Sequence, residues 1–282
     1  MTAVKEPRYR DSPRALIVTV YGLYARDAGG WLGVATLVRL LAELGVDEPA
    51  VRSSISRLKR RGILEPAQLA GVAGYTLSPS ARQILDEGDR RIFDRPRARL
   101  EDGWLLAVFS VPEEQRGQRH ALRSRLTWLG FGTVAAGVRV APAHLESETG
   151  DVLKRAALAS YVDLFHADYR AFGDVGHQVR KWWDLQQLQD SYDEFLGVHA
   201  PLLARWRRRR STAGAEAFAD YVRALTVWRR LPYLDPGLPA EVLPADWHGS
   251  RAGALFGGLR LRLAGPAQRH VDEVRGAVGG LS

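Results

Sequence analysis

Seven polar residues near the amino end are of the types that bind bases and phosphates in duplex DNA. They fall within a predicted helix over residues 48–61 and are Arg52, Ser53, Ser56, Arg57, Lys59, Arg60 and Arg61. Short hydroxyl side chains allow close approach to the major groove, and arginine forks pair with guanine O6 and N7. Cations in the last helical turn bind phosphates and also complement the helix dipole. The pattern therefore indicates a DNA-binding helix.

The periodicity of this helix separates the polar residues from a predicted buried seam. At 100° per residue, Ile55 and Leu58 stay within about 40° of Val51. The opposite face carries both serines together with Arg57 and Arg60. Many charge-rich helix faces only contact solvent, so the helix alone leaves a solvated face and a DNA contact equally open.

The neighbouring residues predict a winged helix-turn-helix. Ser12 and Pro13 have the residue types of a helix start, Gly45 ends the second helix, and Asp47 caps the third after a short turn. This order of helices followed by a hairpin favours DNA contact over a solvated face. The predicted elements are helices over 13–25, 34–44, 48–61 and 79–93, strands at 63–64 and 75–77, and a turn over 70–74.

Two changes in composition predict the domain boundaries of an α+β chain. A charged joint with proline and glycine covers residues 94–103, and glycines mark residues 173–176. We therefore predict three domains. They are a winged helix-turn-helix domain over 1–98, a central ferredoxin-like domain over 99–175 and a mainly helical C-terminal domain over 176–282.

The central domain begins with a strand, helix and strand pattern. An apolar run over 104–111 predicts a buried strand, a helix follows over 112–129, and 131–140 predicts a second strand. This start fits half of a ferredoxin-like domain, and residues 142–172 would supply the rest despite poor periodicity. Further along, the chain is predicted mainly helical, with a final helix near 252–263.

Arg180, Lys181, Trp182 and Trp183 form a candidate ligand site. Adjacent tryptophans lie 100° apart on a helix, so both seldom serve one narrow core stripe. One of them can belong to the core while the other lines a pocket, which leaves the two cations available to an anionic ligand. An ordinary core residue beside an ordinary surface is the alternative interpretation.

Composition and missing motifs exclude several kinds of catalytic and metal site. The chain has 282 residues and a net charge of +8, which favours polyanionic partners. Only four of its 40 cationic residues are lysines, and a GC-rich genome also produces such a bias toward arginine. With no cysteine it has no disulfide, thiolate metal site or cysteine nucleophile. The HExxH motif of metalloproteases is missing, as are the loops of serine hydrolases, NTPases and dinucleotide-binding enzymes. We expect no catalytic residues, no bound metal and no cofactor.

The start of the chain and its hydropathy predict the cellular location. The first residues are basic but lead into no apolar signal core, and no stretch approaches the roughly 18 apolar residues of a membrane span. We therefore expect a cytoplasmic protein without a membrane partner. A run of arginines over 205–210 is interpreted as a solvated helix end.

Three stretches give the chain a resemblance to the phenylacetic-acid-degradation repressor family, the PaaX-like regulators. They are PRALIVTVYGLY at 13–24 with WLG at 31–33 and VRSSISRL at 51–58, LTWLGFG at 126–132 with VRVAP at 138–142, and DPGLPAEVLPADW at 235–247. The resemblance implies a winged helix, a central domain similar to a CRISPR-associated endonuclease fold, and a helical C-terminal domain.

The same resemblance implies a function. Family members are homodimeric bacterial repressors of catabolic operons, released from operator DNA by an aryl-acyl-CoA such as phenylacetyl-CoA. By that likeness the recognition role falls on residues that the helix geometry already selects. These are Arg52, Ser53, Ser56, Arg57 and Arg60.

Two other functions are weighed against a regulator. A metal-dependent nuclease would need carboxylates at the end of the first central strand, where this chain has Ser110, Val111 and Pro112. A winged helix that binds protein would show no salt-dependent affinity for DNA, whereas a DNA-binding helix would show a steep dependence.

Overall fold

The computed structural model describes residues 12–26, 29–170, 173–209 and 213–279, which form helices and two small antiparallel sheets. The chain is α+β, as predicted. It folds into two compact units that each combine distant parts of the sequence. The first unit contains residues 1–93, 195–229 and 251–282, and the second contains 94–194 and 230–250. The division into three consecutive domains stays a prediction.

The amino-terminal part of the first unit holds helices and a three-stranded sheet. Side chains cap the helices where the sequence predicts: Ser12 Oγ accepts from the Ala15 amide at 3.3 Å, and Asp47 Oδ1 accepts from the Ala50 amide at 2.8 Å. The sheet is antiparallel in the order β1-β3-β2. The elements are α1 (Pro13–Tyr24), β1 (Trp31–Gly33), α2 (Val34–Glu43), α3 (Glu48–Arg60), β2 (Leu64–Leu69), β3 (Val72–Leu77) and α4 (Pro79–Asp89).

The β2–β3 hairpin is longer than predicted, and its turn is shorter. The strands pair from Leu64 opposite Leu77 to Leu69 opposite Val72, which leaves only residues 70–71 as the turn. The prediction of a turn over 70–74 was wrong because Gly74 is a strand residue. A Cβ there would lie 2.5 Å from Trp31 Nε1, so the close approach of that indole requires glycine.

Helices from the C-terminal part of the chain complete the first unit. These are α9 (Gly214–Trp228), the residues of α8 (Leu185–Arg208) from 195 onward and the residues of α11 (Gly249–Gly279) from 251 onward. The buried hydroxyls of Thr19 on α1 and Thr226 on α9 share a hydrogen bond of 2.8 Å. The amino-terminal helices therefore pack against the C-terminal ones.

The final helix extends well past the predicted end at residue 263. Pro266 lies inside α11 and lacks the amide that would bond to the preceding turn. The helix continues because Leu263, Ala267 and Val271 are fully buried on one face, so tertiary packing compensates for the lost hydrogen bond.

The second unit is built around a four-stranded antiparallel sheet in the order β5-β6-β4-β7. One face packs on α5 and α6, with Leu105, Leu122 and Leu126 in its core. The opposite face carries Trp104 and packs around α7. The elements are β4 (Trp104–Phe109), α5 (Arg116–Trp128), β5 (Gly132–Ala135), β6 (Val138–Pro142), α6 (Glu146–Arg155), β7 (Val162–Ala167), α7 (Val175–Trp182) and α10 (Leu231–Leu234), with the start of α8.

The predicted single strand over 131–140 was wrong, because the chain reverses within it. Gly137 adopts φ +76° between β5 and β6, a backbone conformation that favours glycine. The neighbouring residues are small and apolar, without the Asn, Asp or Pro that usually marks a turn. The sequence pattern therefore predicts one continuous strand.

Candidate functional site

The buried seam of α3 lies where the helical periodicity predicts it. Val51 is fully buried, and Ile55 and Leu58 are each 3% exposed. Ser54 is also buried, which the sequence pattern did not indicate. These contacts fix the rotation of α3 about its axis, so the remaining faces of the helix point away from the core.

All the candidate DNA-binding residues are exposed: Arg52, Ser53, Ser56, Arg57, Lys59, Arg60 and Arg61. Arg52 forms an ion pair of 2.6 Å with Glu48 one turn earlier on the same helix. Arg57, Lys59, Arg60 and Arg61 have no acidic partner within the part of the chain that the structure describes. The helix therefore presents a cationic face whose charges are available to an anionic ligand. We call these exposed residues the α3 face.

Contacts at the end of α2 and in the α2–α3 turn hold α3 in position within its unit. The turn from α2 is short, because Gly45 adopts φ +75° and the Val46 amide bonds to Leu41 O at 3.0 Å. His270 on α11 places Nε2 at 2.9 and 2.8 Å from the two carboxylate oxygens of Glu43 at the end of α2. The α2–α3 pair is thus tied to the C-terminal helix.

The second unit contains a cleft of about 720 Å³, within the usual range for small-molecule sites. It brings together the predicted residues Arg180, Lys181 and Trp183. Residues far along the chain form the rest of its wall. They are Asp184, Leu185, Gln186, Gln189, Asp193, Pro244, Asp246, Trp247 and His248.

The two adjacent tryptophans have different roles. Trp183 is 8% exposed, donates Nε1 to Gly130 O at 2.8 Å and also lines the cleft. Trp182 packs instead against Trp104 and Tyr169, with ring centroids 5.8 Å apart in both pairs. The structure therefore brings Arg180, Lys181 and Trp183 into one cleft and leaves Trp182 out of its lining.

The acidic residues of the cleft are partly engaged by other groups. Asp184 Oδ1 accepts from the Gln187 amide at 2.9 Å at the start of α8, and Asp193 Oδ1 forms a hydrogen bond with His248 Nδ1. Lys181 has no carboxylate partner among the described residues, and the carboxylate that pairs with Arg180 is Asp174 at 4.0 Å. Both cations are exposed and able to bind an anionic group.

Local residue spacing did not indicate the far wall of the cleft. Asp193 and His248 are separated by 55 positions, and Gln189 accepts from the His248 amide across 59 positions at 3.1 Å. Because these contacts join distant segments, no local spacing could reveal them. The resembling stretch at 235–247 was the one available pointer, since its last residues line the cleft.

Several other charged side chains form ion pairs with neighbouring residues. In the arginine run, Arg205 pairs with Asp220 at 2.5 Å and Arg209 pairs with Glu216, while Arg210 lies outside the described residues. Glu113, just beyond β4, pairs with Arg119 at 2.9 Å. Ion pairs between surface side chains account for Arg205, Arg209 and Glu113.

The described residues lack both a metal-binding cluster and a membrane-spanning helix. They contain no group of three or more His, Asp or Glu side chains arranged to hold a metal ion. None of the helices that they form combines the length and apolarity needed to cross a bilayer.

Known proteins resemble this chain along most of its length. The transcriptional repressor PaaX of Escherichia coli strain K12 is 26% identical over 266 residues, covering 93% of this chain and 84% of that protein. A solved structure of the uncharacterized protein Rv0674 from Mycobacterium tuberculosis has a similar fold, with a TM-score of 0.52 at 24% identity, covering 89% of this chain and 99% of that one.

Family models match three successive segments of the sequence. The model of the PaaX-like protein matches residues 12–81, that of the PaaX protein central Cas2-like domain matches 97–179, and that of the PaaX-like protein C-terminal domain matches 183–273. The segments follow one another without overlap and leave only short connections between them. The chain belongs to the PaaX-like family.

Proposed function

We propose that this protein is a transcriptional repressor that binds operator DNA by placing α3 in the major groove. The observation that carries the proposal is the α3 face, where hydroxyls and unpaired cations are exposed opposite a buried apolar seam. Arginine forks and short hydroxyls suit base edges, and the cations of the last turn suit phosphates. The similarity to the Escherichia coli relative, a transcriptional repressor, supports the same assignment.

The proposed domain types follow from the order of elements. Three helices, a hairpin and a closing helix in residues 13–89 support a winged helix-turn-helix. The succession β4-α5-β5-β6-α6-β7, with sheet order β5-β6-β4-β7, supports a ferredoxin-like central domain. In this proposal the chain acts as a homodimer whose two α3 helices enter major grooves one helical turn, about 34 Å, or a small multiple apart.

The proposed regulation uses the cleft of the second unit. An aryl-acyl-CoA, such as phenylacetyl-CoA, would place anionic groups against Arg180 and Lys181 and its apolar part against Trp183. Binding of this effector would release the repressor from a catabolic operon. Such release requires different effector affinities in the DNA-bound and free states, with a coupling of about 1–3 kcal/mol.

A footprint on the DNA upstream of the protein's own gene, repeated with a panel of aryl-acyl-CoA thioesters, tests this proposal. We expect a protected operator whose affinity falls roughly 5- to 150-fold with the correct thioester. Changing Arg180 and Lys181 to alanine should leave operator affinity unchanged and weaken the thioester's effect. The exposed Lys154 on α6, changed to alanine, is the matched control.

Either of two results would contradict part of the proposal. A protein that protects no upstream DNA is not a repressor of that operon. A thioester response that is identical in wild type and the Arg180 and Lys181 double variant would remove the cleft from the regulation.

A further inference from the structure

Two buried hydrogen-bond donors of the second unit have no acceptor within the described part of the chain. They are Trp247 Nε1 and Arg97 Nη2, and both nitrogens are covered from solvent. A buried donor that lacks an acceptor costs about 1–3 kcal/mol. An acceptor that reached these nitrogens would remove that cost, so the pair is a candidate site for an oxygen atom.

The two donors converge on Gly249. A Cβ atom on this glycine would lie 2.5 Å from Trp247 Nε1, 3.3 Å from Arg97 Nη2 and 3.1 Å from the ring of Tyr192. Only glycine therefore lets the two nitrogens approach the backbone so closely. Because both nitrogens lie within 3.3 Å of one point, a single oxygen with two hydrogen bonds of about 2.9 Å can span them.

The carboxylate of the surrounding cluster is engaged by other donors. Asp235 is fully buried, and its Oδ2 accepts from the Tyr192 hydroxyl at 2.7 Å and from Arg95 Nη2 at 3.2 Å. Its Oδ1 accepts from the Gly237 amide at 3.0 Å. Burial raises the pKa of Tyr192, so this hydroxyl stays protonated as a donor to Asp235. The cluster thus has more donors than acceptors, and the donor of Arg97 stays available.

Trp247 connects this donor pair to the cleft of the second unit. It lines the cleft that also contains Arg180 and Lys181. Its ring packs edge-on against that of Tyr192, with centroids 5.7 Å apart. The cleft therefore combines exposed cations with covered donors at one of its walls.

Exposed cations and covered donors suit different oxygen atoms. A phosphate keeps much of its hydration beside an exposed cation, whereas burying its charge would cost far more than burying a carbonyl group. The covered donors therefore suit a neutral carbonyl oxygen, whose two lone pairs can accept two hydrogen bonds. A hydrogen bond from the Arg97 guanidinium is charge-assisted and hence the stronger of the two.

We propose that Trp247 Nε1 and Arg97 Nη2 bind the carbonyl oxygen of the effector's thioester, so that the cleft distinguishes an acyl-CoA from free CoA. The inference rests on the proposed function, because the ligand is the same aryl-acyl-CoA. A site that donates hydrogen bonds to one ligand group rejects an analogue without that group, since its buried donors then stay unpaired. Trp247 and Arg97 are therefore specificity-determining residues of the cleft.

Calorimetric titrations of the full chain test this contact. The ligands are phenylacetyl-CoA, free CoA and 2-phenylethyl-CoA, a thioether with a methylene in place of the carbonyl. We expect wild-type protein to bind the thioester at least about tenfold more tightly than the thioether, because the carbonyl accepts from a charged donor. Trp247→Phe and Arg97→Gln should each lower that ratio by about three- to tenfold and leave the affinity for free CoA unchanged.

Two substitutions in the same unit are matched controls. Arg99→Gln changes an exposed arginine two positions from Arg97, and Trp128→Phe changes a tryptophan on α5 that is 39% exposed. Both should keep the wild-type ratio of affinities. Equal denaturation midpoints for the variants and wild type establish that folding is unchanged.

The indole resonances give a second measurement. Protein labelled with 15N-tryptophan has eight indole signals, and Trp247→Phe identifies that of Trp247. We expect phenylacetyl-CoA to shift this signal downfield, because its proton then has an acceptor, and the thioether to shift it less. A downfield shift with sodium phenylacetate but not with phenylacetyl-CoA would assign the donors to a free carboxylate and overturn the proposal.

The outcomes separate this inference from the proposed function. Equal affinity of wild type for thioester and thioether, or a ratio unchanged in Trp247→Phe and Arg97→Gln, would overturn the carbonyl contact. A thioester that still releases the operator would then leave the proposed function standing. If no thioester released the operator, the proposed regulation would fail, and the indole signal would still establish whether the donors bind a carbonyl.

Discussion

Replacing Arg57 with alanine is expected to weaken operator binding roughly 5- to 150-fold, which corresponds to a loss of about 1–3 kcal/mol. Arg57 is exposed on the α3 face and has no acidic partner among the described residues, so its guanidinium is available for a base or phosphate. Its removal leaves no buried group unpaired. The free energy of unfolding should therefore change by less than about 0.5 kcal/mol.

Fluorescence anisotropy with a labelled operator measures this effect at fixed salt. Arg262→Ala is the matched control, because it also removes one exposed arginine of the first unit but lies on α11. We expect that control to bind the operator within twofold of wild type. Unchanged affinity in Arg57→Ala would contradict the placement of Arg57 at the DNA.

Replacing Trp228 with alanine should lower the free energy of unfolding by about 3–5 kcal/mol, the largest loss expected for any of these substitutions. Trp228 is fully buried. Its ring stacks on that of Phe256, with centroids 4.9 Å apart, and contacts that of Phe195, with centroids 5.2 Å apart. Its Nε1 also donates to Ile92 O at 2.9 Å, so the substitution leaves that carbonyl without this donor. Chemical denaturation followed by circular dichroism measures the loss.

Trp228→Phe separates packing from hydrogen bonding at this position. The smaller ring keeps much of the aromatic contact but cannot donate to Ile92 O, so we expect a smaller loss than in the alanine variant. A cost below about 1 kcal/mol for Trp228→Ala would show that this cluster does not hold the unit together. That result would also contradict the packing of the amino-terminal helices on the C-terminal helices.

Local signals made the candidate DNA site predictable. Ser12 and Asp47 have the side chains that cap helix starts, and both caps form. The seam of Val51, Ile55 and Leu58 follows from helical geometry alone, and it determines which side chains face outward. Neither feature depends on residues from another part of the chain.

Features that depend on distant contacts were not predictable. Gly74 is a strand residue because Trp31 lies against it, and α11 continues through Pro266 because a buried face holds it. The cleft joins residues 180–193 with residues 244–248, which only the folded chain brings together. The full length of the β2–β3 hairpin was missed because residues 70–74 were interpreted as the turn.

The absence of cysteine from the sequence allows a direct measurement of where α3 lies on DNA. Ser56→Cys introduces a single thiol at an exposed position of the α3 face, and an iron chelate attached to it cleaves nearby nucleotides. Ser124→Cys on α5, also exposed, is the control for cleavage by chelate that is not held in a groove.

With the protein bound to its operator, we expect the chelate attached at position 56 to cleave the DNA in two clusters of nucleotides. The clusters should be separated by one helical turn or a small multiple, with no matching pattern from position 124. A bound operator that is not cleaved locally from position 56 would contradict the claim that the exposed face of α3 contacts the duplex.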